Sequence, residues 1–334
     1  MATTSGSDTD SRTESEPQPV DSDPEQPAAN VGWRYTVSQV RRDPTALAGL
    51  GIIGIATFVA AVAFLDQVVL PVFGIEQYAI AQAVWMSPNA EVAPQLLPPA
   101  WTTNVFGEGT WTHPLGTDDR GRDILARVFY GTRIAMSVGV IATTIALVFG
   151  MLVGSVAGYY GGRIDDVLMR AVETLYAIPF LVLVIVFMVA FGRNLTFAMI
   201  GVGIANIPTF ARLIRSRVLS VREEDYIEAA RAAGVRDRNI IFRHVIPNSF
   251  APVLVQATLQ IGVAILIVAG LSFLGFGAQP PTPSWGQMLS QSRDYMLPDP
   301  WFSIWPGMAI LITVVGFNLL GDGLRDALDP RINN

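Results

Sequence analysis

The sequence contains no cysteine among its 334 residues, and all 22 of its basic residues are arginine. The absence of cysteine excludes disulfide bonds, thiolate metal ligands and cysteine nucleophiles. The phosphate-binding loop of many ATPases needs a lysine that reaches the β- and γ-phosphates. A chain without lysine cannot build that loop, so any ATP hydrolysis by this chemistry must take place on another protein.

Charged residues are also scarce, at 15%, whereas 51% of the residues are hydrophobic. A soluble domain usually has about 25% charged residues. Here the charges cluster between long uncharged stretches, and a helix needs ~20 apolar residues to cross a bilayer. Six stretches meet this requirement, which predicts an all-α membrane protein with six transmembrane helices. The predicted cores are residues 46–65, 134–158, 171–191, 195–212, 249–274 and 304–321.

The distribution of arginine predicts the orientation in the membrane, because cytoplasmic loops carry the excess of basic residues. With the N-terminus in the cytoplasm, sixteen arginines lie inside and six lie outside. We therefore expect a multi-pass protein of the plasma membrane with both termini in the cytoplasm and lipid around its spans.

The predicted spans are preceded by two segments, 1–30 and 31–45, and the first two spans are separated by a long loop, 66–133. Residues 1–30 hold seven acidic residues and one arginine, and we expect a disordered cytoplasmic tail. Residues 31–45 mix aromatic and cationic residues, as in a helix lying at the membrane interface, with Asp43 as the cap of the first span and Pro44 as its first residue. Residues 46–334 form the predicted transmembrane domain, and its loop 66–133 is expected to pack on the outer mouth.

The histidines are too few and too far apart for a metal site or a catalytic pair. The chain has two, His113 and His244, and the predicted topology puts them on opposite sides of the bilayer. We expect no metal site, no catalytic residues and no nucleic-acid partner.

The predicted cytoplasmic loop 213–248 contains a short helix. Acidic residues precede an alanine-rich stretch, which favours a helix, and Gly234 is suited to end it. Pro247 then suits the beginning of the fifth span, where a missing N–H costs little. The loop is therefore predicted to hold a rigid, exposed helix between two spans, suited to being gripped by another protein.

The spacing in this loop resembles that of a known family. The loop contains Glu228-Ala229-Ala230, then three residues and Gly234, then nine residues followed by His244 and Pro247. This pattern resembles the EAA loop of the permeases of ABC importers. In that family the loop forms the coupling helix, which docks on the ATPase subunit. The resemblance implies that the coupling residues are Glu228, Ala229, Ala230 and Gly234. By the same resemblance, His244 and Pro247 mark the place where the chain returns to the membrane. The resemblance also implies the fold of a type I ABC importer transmembrane domain.

Further segments narrow the resemblance to one branch. Residues 113–123 with 130–133, residues 273–289 and residues 317–331 are similar to motifs of the dipeptide, oligopeptide and nickel permeases, of the second permease type. The resemblance implies a second homologous permease subunit, two ATPase subunits that bind ATP and Mg²⁺, and an extracellular solute-binding protein. It also implies alternating access, with no cofactor in this chain itself.

Polar residues inside the spans are candidates for the passage, since polar groups are costly in lipid. Gln256 and Gln260 lie one helical turn apart in the fifth span, and Asn206 lies in the fourth. These three side chains line the passage or form hydrogen bonds between helices; the sequence leaves both open. Two other functions also stay open: import of nickel or another small solute, and secondary transport without ATP.

Overall fold

The computed structural model of the protein describes residues 33–91 and 93–328. Within these ranges it is mostly helical, and one hairpin of two short strands lies in the largely irregular stretch before residue 124. The predicted acidic tail, 1–30, lies outside the described residues. Five helical runs are long and apolar enough to cross a membrane: Pro44–Val72, Ile124–Tyr160, Leu195–Arg222, Asp237–Phe273 and Trp301–Leu328.

The helices and strands of the described residues are numbered in chain order. The long helices are α2 (Pro44–Phe64), α5 (Ile124–Tyr160), α8 (Leu195–Arg222), α11 (Ile246–Phe273) and α13 (Trp301–Leu328). The shorter helices are α1 (Trp33–Val40), α3 (Leu70–Val72), α4 (Ala79–Val84), α6 (Gly162–Ala177), α7 (Phe180–Phe191), α9 (Asp225–Ala232), α10 (Asp237–Ile240) and α12 (Trp285–Ser292). The strands are β1 (Thr103–Asn104) and β2 (Gly107–Glu108), which pair antiparallel.

The beginning of α2 confirms the predicted cap. Asp43 has an extended backbone, and its Oδ1 accepts a 2.8 Å hydrogen bond from the backbone N–H of Thr45. Pro44 is the first helical residue, where its fixed φ suits the helix. The preceding helix, α1, lies against α13.

Close packing between α5 and α8 forms the centre of the bundle. A Cβ atom added at Gly154 would lie 2.4 Å from the carbonyl oxygen of Ala211, so only glycine permits this approach. Gly150 and Gly158, one turn away on either side, also face α8. Small residues let membrane helices approach closely.

The prediction of one continuous third span at 171–191 is wrong. The chain there forms α6 and α7, which meet at an angle of 89° around Ile178 and Pro179. Proline removes a helical N–H donor and disfavours helical backbone at the residue before it, which explains the break. The described residues therefore contain five continuous spans, or six if this bent pair counts as one.

An ion pair fixes α6 against α8. Arg215 donates from Nε and Nη2 to the two carboxylate oxygens of Asp165, both at 2.6 Å. Two parallel hydrogen bonds hold a planar guanidinium and a carboxylate in one geometry. The guanidinium of Arg212 also lies over the ring of Tyr176, 3.9 Å from its centroid.

The predicted outer loop, 66–133, ends ten residues too late. Asp123 caps α5 by accepting a 2.7 Å bond from the N–H of Ala126, and the helix begins at Ile124. Charge in this stretch suggested a loop, but Arg127 is fully buried and forms an ion pair with Asp118 at 3.4 Å. Buried pairing therefore allows charged residues in this first part of the helix.

The beginning of the fifth span also differs from the prediction. Pro247 lies in the first turn of α11, as predicted, but the helical run that contains α11 begins earlier, at Asp237, and continues to Phe273. Residues Ile241–Val245 form a wider, π-helical turn in which the N–H of Ile246 bonds to the carbonyl of Ile241. The wider turn accommodates Pro247, which has no N–H to donate.

The bundle has two ends. We call the end with α9 and the last residues of α5 the α9 end, and the end with the β-hairpin and α12 the hairpin end. At the hairpin end, α12 packs on α5, where Nε1 of Trp285 donates a 2.9 Å hydrogen bond to the carbonyl of Val128.

Candidate functional site

The helix predicted in the loop between the fourth and fifth spans is present as α9. It follows α8 after a turn at Glu223 and Glu224, and the N–H of Ile227 bonds to the carbonyl of Glu224. Asp225 and Glu228 lie in its first turn, where negative charge is favourable to the helix dipole.

Gly234 ends α9 as predicted. Its φ is +76°, a left-handed conformation that costs other residues energy. The N–H of Gly234 bonds to the carbonyl of Arg231, and the N–H of Val235 bonds to that of Ala230. These two bonds form a Schellman motif, which satisfies the last carbonyls of the helix and turns the chain back toward α10.

One apolar side chain anchors α9 to the bundle. Ile227 is fully buried, in a cluster with side chains from α8 and from the beginning of the fifth span. The cluster includes Val218, Ile240, Ile241 and Val245. Burying such a side chain contributes about 1.5–3 kcal/mol, so α9 is held firmly between the two spans.

Tyr159, near the end of α5, connects α9 to the fifth span. Its hydroxyl donates a 2.7 Å hydrogen bond to Oδ1 of Asp237, the first residue of α10. The guanidinium of Arg231, on α9, lies over the Tyr159 ring at 4.9 Å from the centroid. One buried side chain therefore contacts both the short helix and the beginning of the run that becomes α11.

A second contact joins the beginning of α9 to α11. Nδ2 of Asn248 donates to the hydroxyl of Tyr226 at 3.1 Å and to the carbonyl of His244 at 2.7 Å. The rings of Tyr226 and His244 lie 6.5 Å apart. Both ends of α9 are thus tied to the beginning of the fifth span.

The polar residues predicted for the passage lie on the two spans that continue from this region. Gln260 is buried, and its Nε2 has no hydrogen-bond partner among the described residues, whereas Gln256, one turn away on α11, is half-buried. Nδ2 of Asn206 donates a 2.9 Å bond to the carbonyl of Val202 in its own helix. The described hydrogen bonds connect none of the three to another.

Comparison with known proteins identifies the chain. Residues 146–334 match the family of binding-protein-dependent transport system inner membrane components. The chain is 41% identical over 319 residues to the dipeptide transport system permease protein DppC of Alkalihalophilus pseudofirmus, covering 95% of this chain and 96% of that protein. The chain belongs to this family of ABC importer permeases.

Two further relatives have related names. The permease is 43% identical over 237 residues to DppC of Haemophilus influenzae, covering 71% of this chain and 79% of that protein. It is also 43% identical over 222 residues to the glutathione transport system permease protein GsiD of Pectobacterium atrosepticum, covering 66% and 74%.

The fold has a counterpart among solved structures. The permease matches a chain of the MetNI methionine ABC transporter, in an inward-facing conformation, with a TM-score of 0.50 and 20% sequence identity. The match covers 60% of this chain and 96% of that one. It supports the type I ABC importer fold predicted from the sequence.

The structure divides the predicted coupling residues of the permease into two groups. Glu228 and Ala229 are exposed, Ala230 is half-buried, and Gly234 shapes the turn. His244 and Pro247 lie instead in the helical run of the fifth span, with His244 beside Tyr226. The first group therefore forms an outward surface with its turn, and the second belongs to the helical run of the fifth span.

Sequence reasoning missed the residues that connect α9 to the spans. Tyr159 and Asp237 are 78 positions apart, and nothing in the spacing predicts their contact. Ile227 did carry a signal, because it is an aliphatic residue between charged ones in a short helix. An amphipathic reading of 225–232 would have found this anchor.

The two histidines of the permease lie at opposite ends of the bundle. His113 Nδ1 lies 2.9 Å from Oδ2 of Asp123, just before α5 begins, at the hairpin end. His244 lies at the α9 end. Among the described residues, no group of three or more histidine, aspartate or glutamate side chains is arranged to hold a metal ion.

Proposed function

We propose that this permease imports dipeptides or oligopeptides, driven by ATP that separate subunits bind with Mg²⁺ and hydrolyse. The observation that carries the substrate class is the identity of 41% over 95% of the chain to a dipeptide permease. The glutathione permease among the relatives is consistent with it, because glutathione is itself a short peptide.

The α9 end is then the cytoplasmic end, and both termini lie in the cytoplasm of a plasma-membrane protein. The exposed face of α9, with Glu228 and Ala229, docks on an ATPase subunit. Closure of two such subunits pushes α9, and the contacts through Tyr159 and Tyr226 carry the displacement to α5 and α11. The contact network supports this role, because it connects α9 to both spans.

A second, homologous permease subunit completes the pathway. The two subunits alternate between outward-facing and inward-facing states, and an extracellular binding protein delivers the peptide at the hairpin end. Gln256, Gln260 and Asn206 line part of the passage. The unpartnered Nε2 of Gln260 supports this assignment, because a buried amide without a partner is costly unless another group meets it during function.

Uptake measurements in the source organism test the proposal. A strain without this gene should lose ATP-dependent uptake of a radiolabelled dipeptide, and a plasmid copy should restore it. Uptake of radioactive nickel by the same strains distinguishes the two substrate classes: loss of nickel uptake with normal peptide uptake would contradict the peptide assignment. Peptide uptake that continues after ATP depletion would indicate secondary transport instead.

A pair of variants tests the docking surface. Glu228→Ala removes an exposed carboxylate without a described ion pair, so the fold should keep its stability within about 0.5 kcal/mol while peptide uptake falls. Glu223→Ala is the matched control, since this exposed glutamate lies between α8 and α9. Equal uptake by the two variants would contradict a specific role for Glu228.

A further inference from the structure

An apolar pocket lies at the hairpin end, away from α9. It has a volume of about 320 Å³ and is open on one side. Its wall combines the last part of α2, the helix α4 and the first turns of α5. Its lining includes Val62, Ala81, Val84, Ala126 and Phe129.

Buried hydrogen bonds hold the walls of this pocket in place. Asp66, just after α2, is fully buried and accepts bonds from the backbone N–H groups of Ile80 (2.8 Å) and Ala81 (3.0 Å) on α4. It also accepts a bond from the hydroxyl of Tyr130 on α5. One carboxylate thus ties all three walls together, so the pocket is a built feature of the fold.

The chemistry of the lining restricts the occupant. The side chains that form it are almost all aliphatic or aromatic. An engineered, enclosed apolar cavity of about 150 Å³ binds benzene. This pocket has about twice that volume, which suits a hydrocarbon chain and gives a charged peptide no partner.

The surface that leads to the pocket is apolar as well. Ile55, Phe58 and Val62 are spaced at i, i+3 and i+7 on α2 and so form one stripe. Ile55 and Phe58 are 68% and 69% exposed, on a span that has few buried residues. The pocket therefore continues the surface that α2 presents to the hydrocarbon, one turn before the first charged residue of this segment, Asp66.

The rim of the pocket has the character of a membrane interface. Trp85 contributes to the lining and is 45% exposed, beside the exposed aliphatic Val84. Tryptophan is enriched where hydrocarbon meets the headgroup region. We propose that this pocket binds an acyl chain of a phospholipid from the outer leaflet, which seals the junction between α2, α4 and α5.

Photolabelling of the assembled transporter tests the proposal. The complete complex is reconstituted in vesicles of phosphatidylethanolamine and phosphatidylglycerol that contain phosphatidylcholine with a diazirine in its acyl chain. After illumination, mass spectrometry of the digested protein should find the lipid label on the peptides that contain Phe129 or Val84. Absence of label from both peptides would overturn the proposal.

Variants that fill the pocket give the decisive comparison. Ala126→Phe should abolish the label on these peptides, and Ala81→Leu should do the same if the first variant fails to assemble. Ala61→Phe is the matched control, because Ala61 is exposed on α2 beside the pocket and does not line it. Label that survives filling, or that is lost equally in the control, would contradict a site in this pocket.

A photoreactive residue distinguishes lipid from protein. Benzoylphenylalanine in place of Val84 should form adducts with phospholipid in the assembled complex. An adduct with another subunit would show that the pocket is part of a protein interface, and the lipid proposal would then be wrong.

Discussion

The hydroxyl of Tyr159, near the end of α5, donates a 2.7 Å hydrogen bond to Oδ1 of Asp237, where the helical run to α11 begins. The same ring lies beneath the guanidinium of Arg231 on α9. Tyr159 is buried, so this contact is protected from water. The second and fifth spans and the proposed coupling helix therefore meet at one side chain.

The first prediction concerns this hydroxyl. Tyr159→Phe keeps the ring over which Arg231 lies but removes the bond to Asp237 and the 3.4 Å bond that the hydroxyl accepts from Nε of Arg231. This loss should lower the free energy of unfolding by about 1–3 kcal/mol. Because the link between the spans weakens, peptide transport should fall further than ATP hydrolysis. Both rates are measured on the complex in proteoliposomes.

The neighbouring tyrosine provides the control for that variant. Tyr160 is 46% exposed, and Tyr160→Phe should leave both rates and the stability nearly unchanged. If Tyr159→Phe keeps the wild-type ratio of transport to ATP hydrolysis, Tyr159 has only a structural role.

The second prediction concerns the turn after α9. A Cβ atom at Gly234 would meet nothing within 4 Å, so the cost of Gly234→Ala comes from its φ of +76° alone, about 1–2 kcal/mol. The end of α9 should loosen, and transport should fall with it. Hydrogen exchange of residues 225–235 checks the first effect, and peptide uptake checks the second.

Gly51→Ala is the control for the backbone effect. Gly51 lies in α2 with open space around it and an ordinary helical φ. Alanine there should be neutral or stabilising, since it favours a helix over glycine. Equal losses of uptake in the two variants would contradict the role assigned to the Gly234 turn.

The third prediction separates a passage residue from a packing residue. Gln260→Met replaces an amide whose Nε2 has no described partner by an apolar side chain of similar size, so thermal stability should stay equal or rise. If Gln260 lines the passage, peptide transport falls despite that stability. Thr258→Val, at a buried residue whose hydroxyl bonds within its own helix, is the control and should transport normally.

The fourth prediction is a pH dependence at the hairpin end. Asp299, between α12 and α13, is fully buried, and burial raises the pKa of its carboxyl to about 6; the Asn104 side chain and the Trp301 N–H oppose this shift. The folded protein thus binds this proton more tightly than the unfolded chain does. The protonated carboxyl therefore makes its whole contribution to the free energy of unfolding below about pH 4, and this contribution is lost as the pH rises through 6.

Asp299→Asn should remove that dependence. In the wild type, ionising Asp299 between pH 4 and pH 7 lowers the free energy of unfolding by about 3 kcal/mol, since a tenfold change in proton affinity corresponds to about 1.4 kcal/mol. The variant should therefore unfold at a higher temperature than the wild type at pH 7, with the difference disappearing near pH 4. A constant difference between the two proteins across this range would contradict the raised pKa.

Much of the site was predictable because its signals are local. The acidic first turn, the alanines and Gly234 predict α9 from consecutive residues, and Asp43 with Pro44 predicts the beginning of α2. The five continuous spans follow from uncharged length, because the bilayer imposes one minimum length on every helix that crosses it.

The errors arose where a local signal was ambiguous or was outweighed by another. By its charge, Arg127 is typical of a polar loop. In the fold it forms a buried ion pair with Asp118, and the helix continues through it. Pro247 reads as the beginning of a helix, yet a π-helical turn allows the helix to begin ten residues earlier. Pro179 was a local signal of the break in the third span, but the hydrophobicity around it outweighed that signal in the prediction.

The sequence by itself determined that this chain is a helical membrane protein with a short exposed helix between its fourth and fifth spans. Periodicity, hydrophobic length and capping act over one or two turns, so they can be read from neighbouring residues. The tertiary structure alone decided that Tyr159 meets Asp237 and Arg231, and that Asp66 ties three segments around a pocket. These contacts join residues far apart in the chain, and their geometry exists only once the helices have packed.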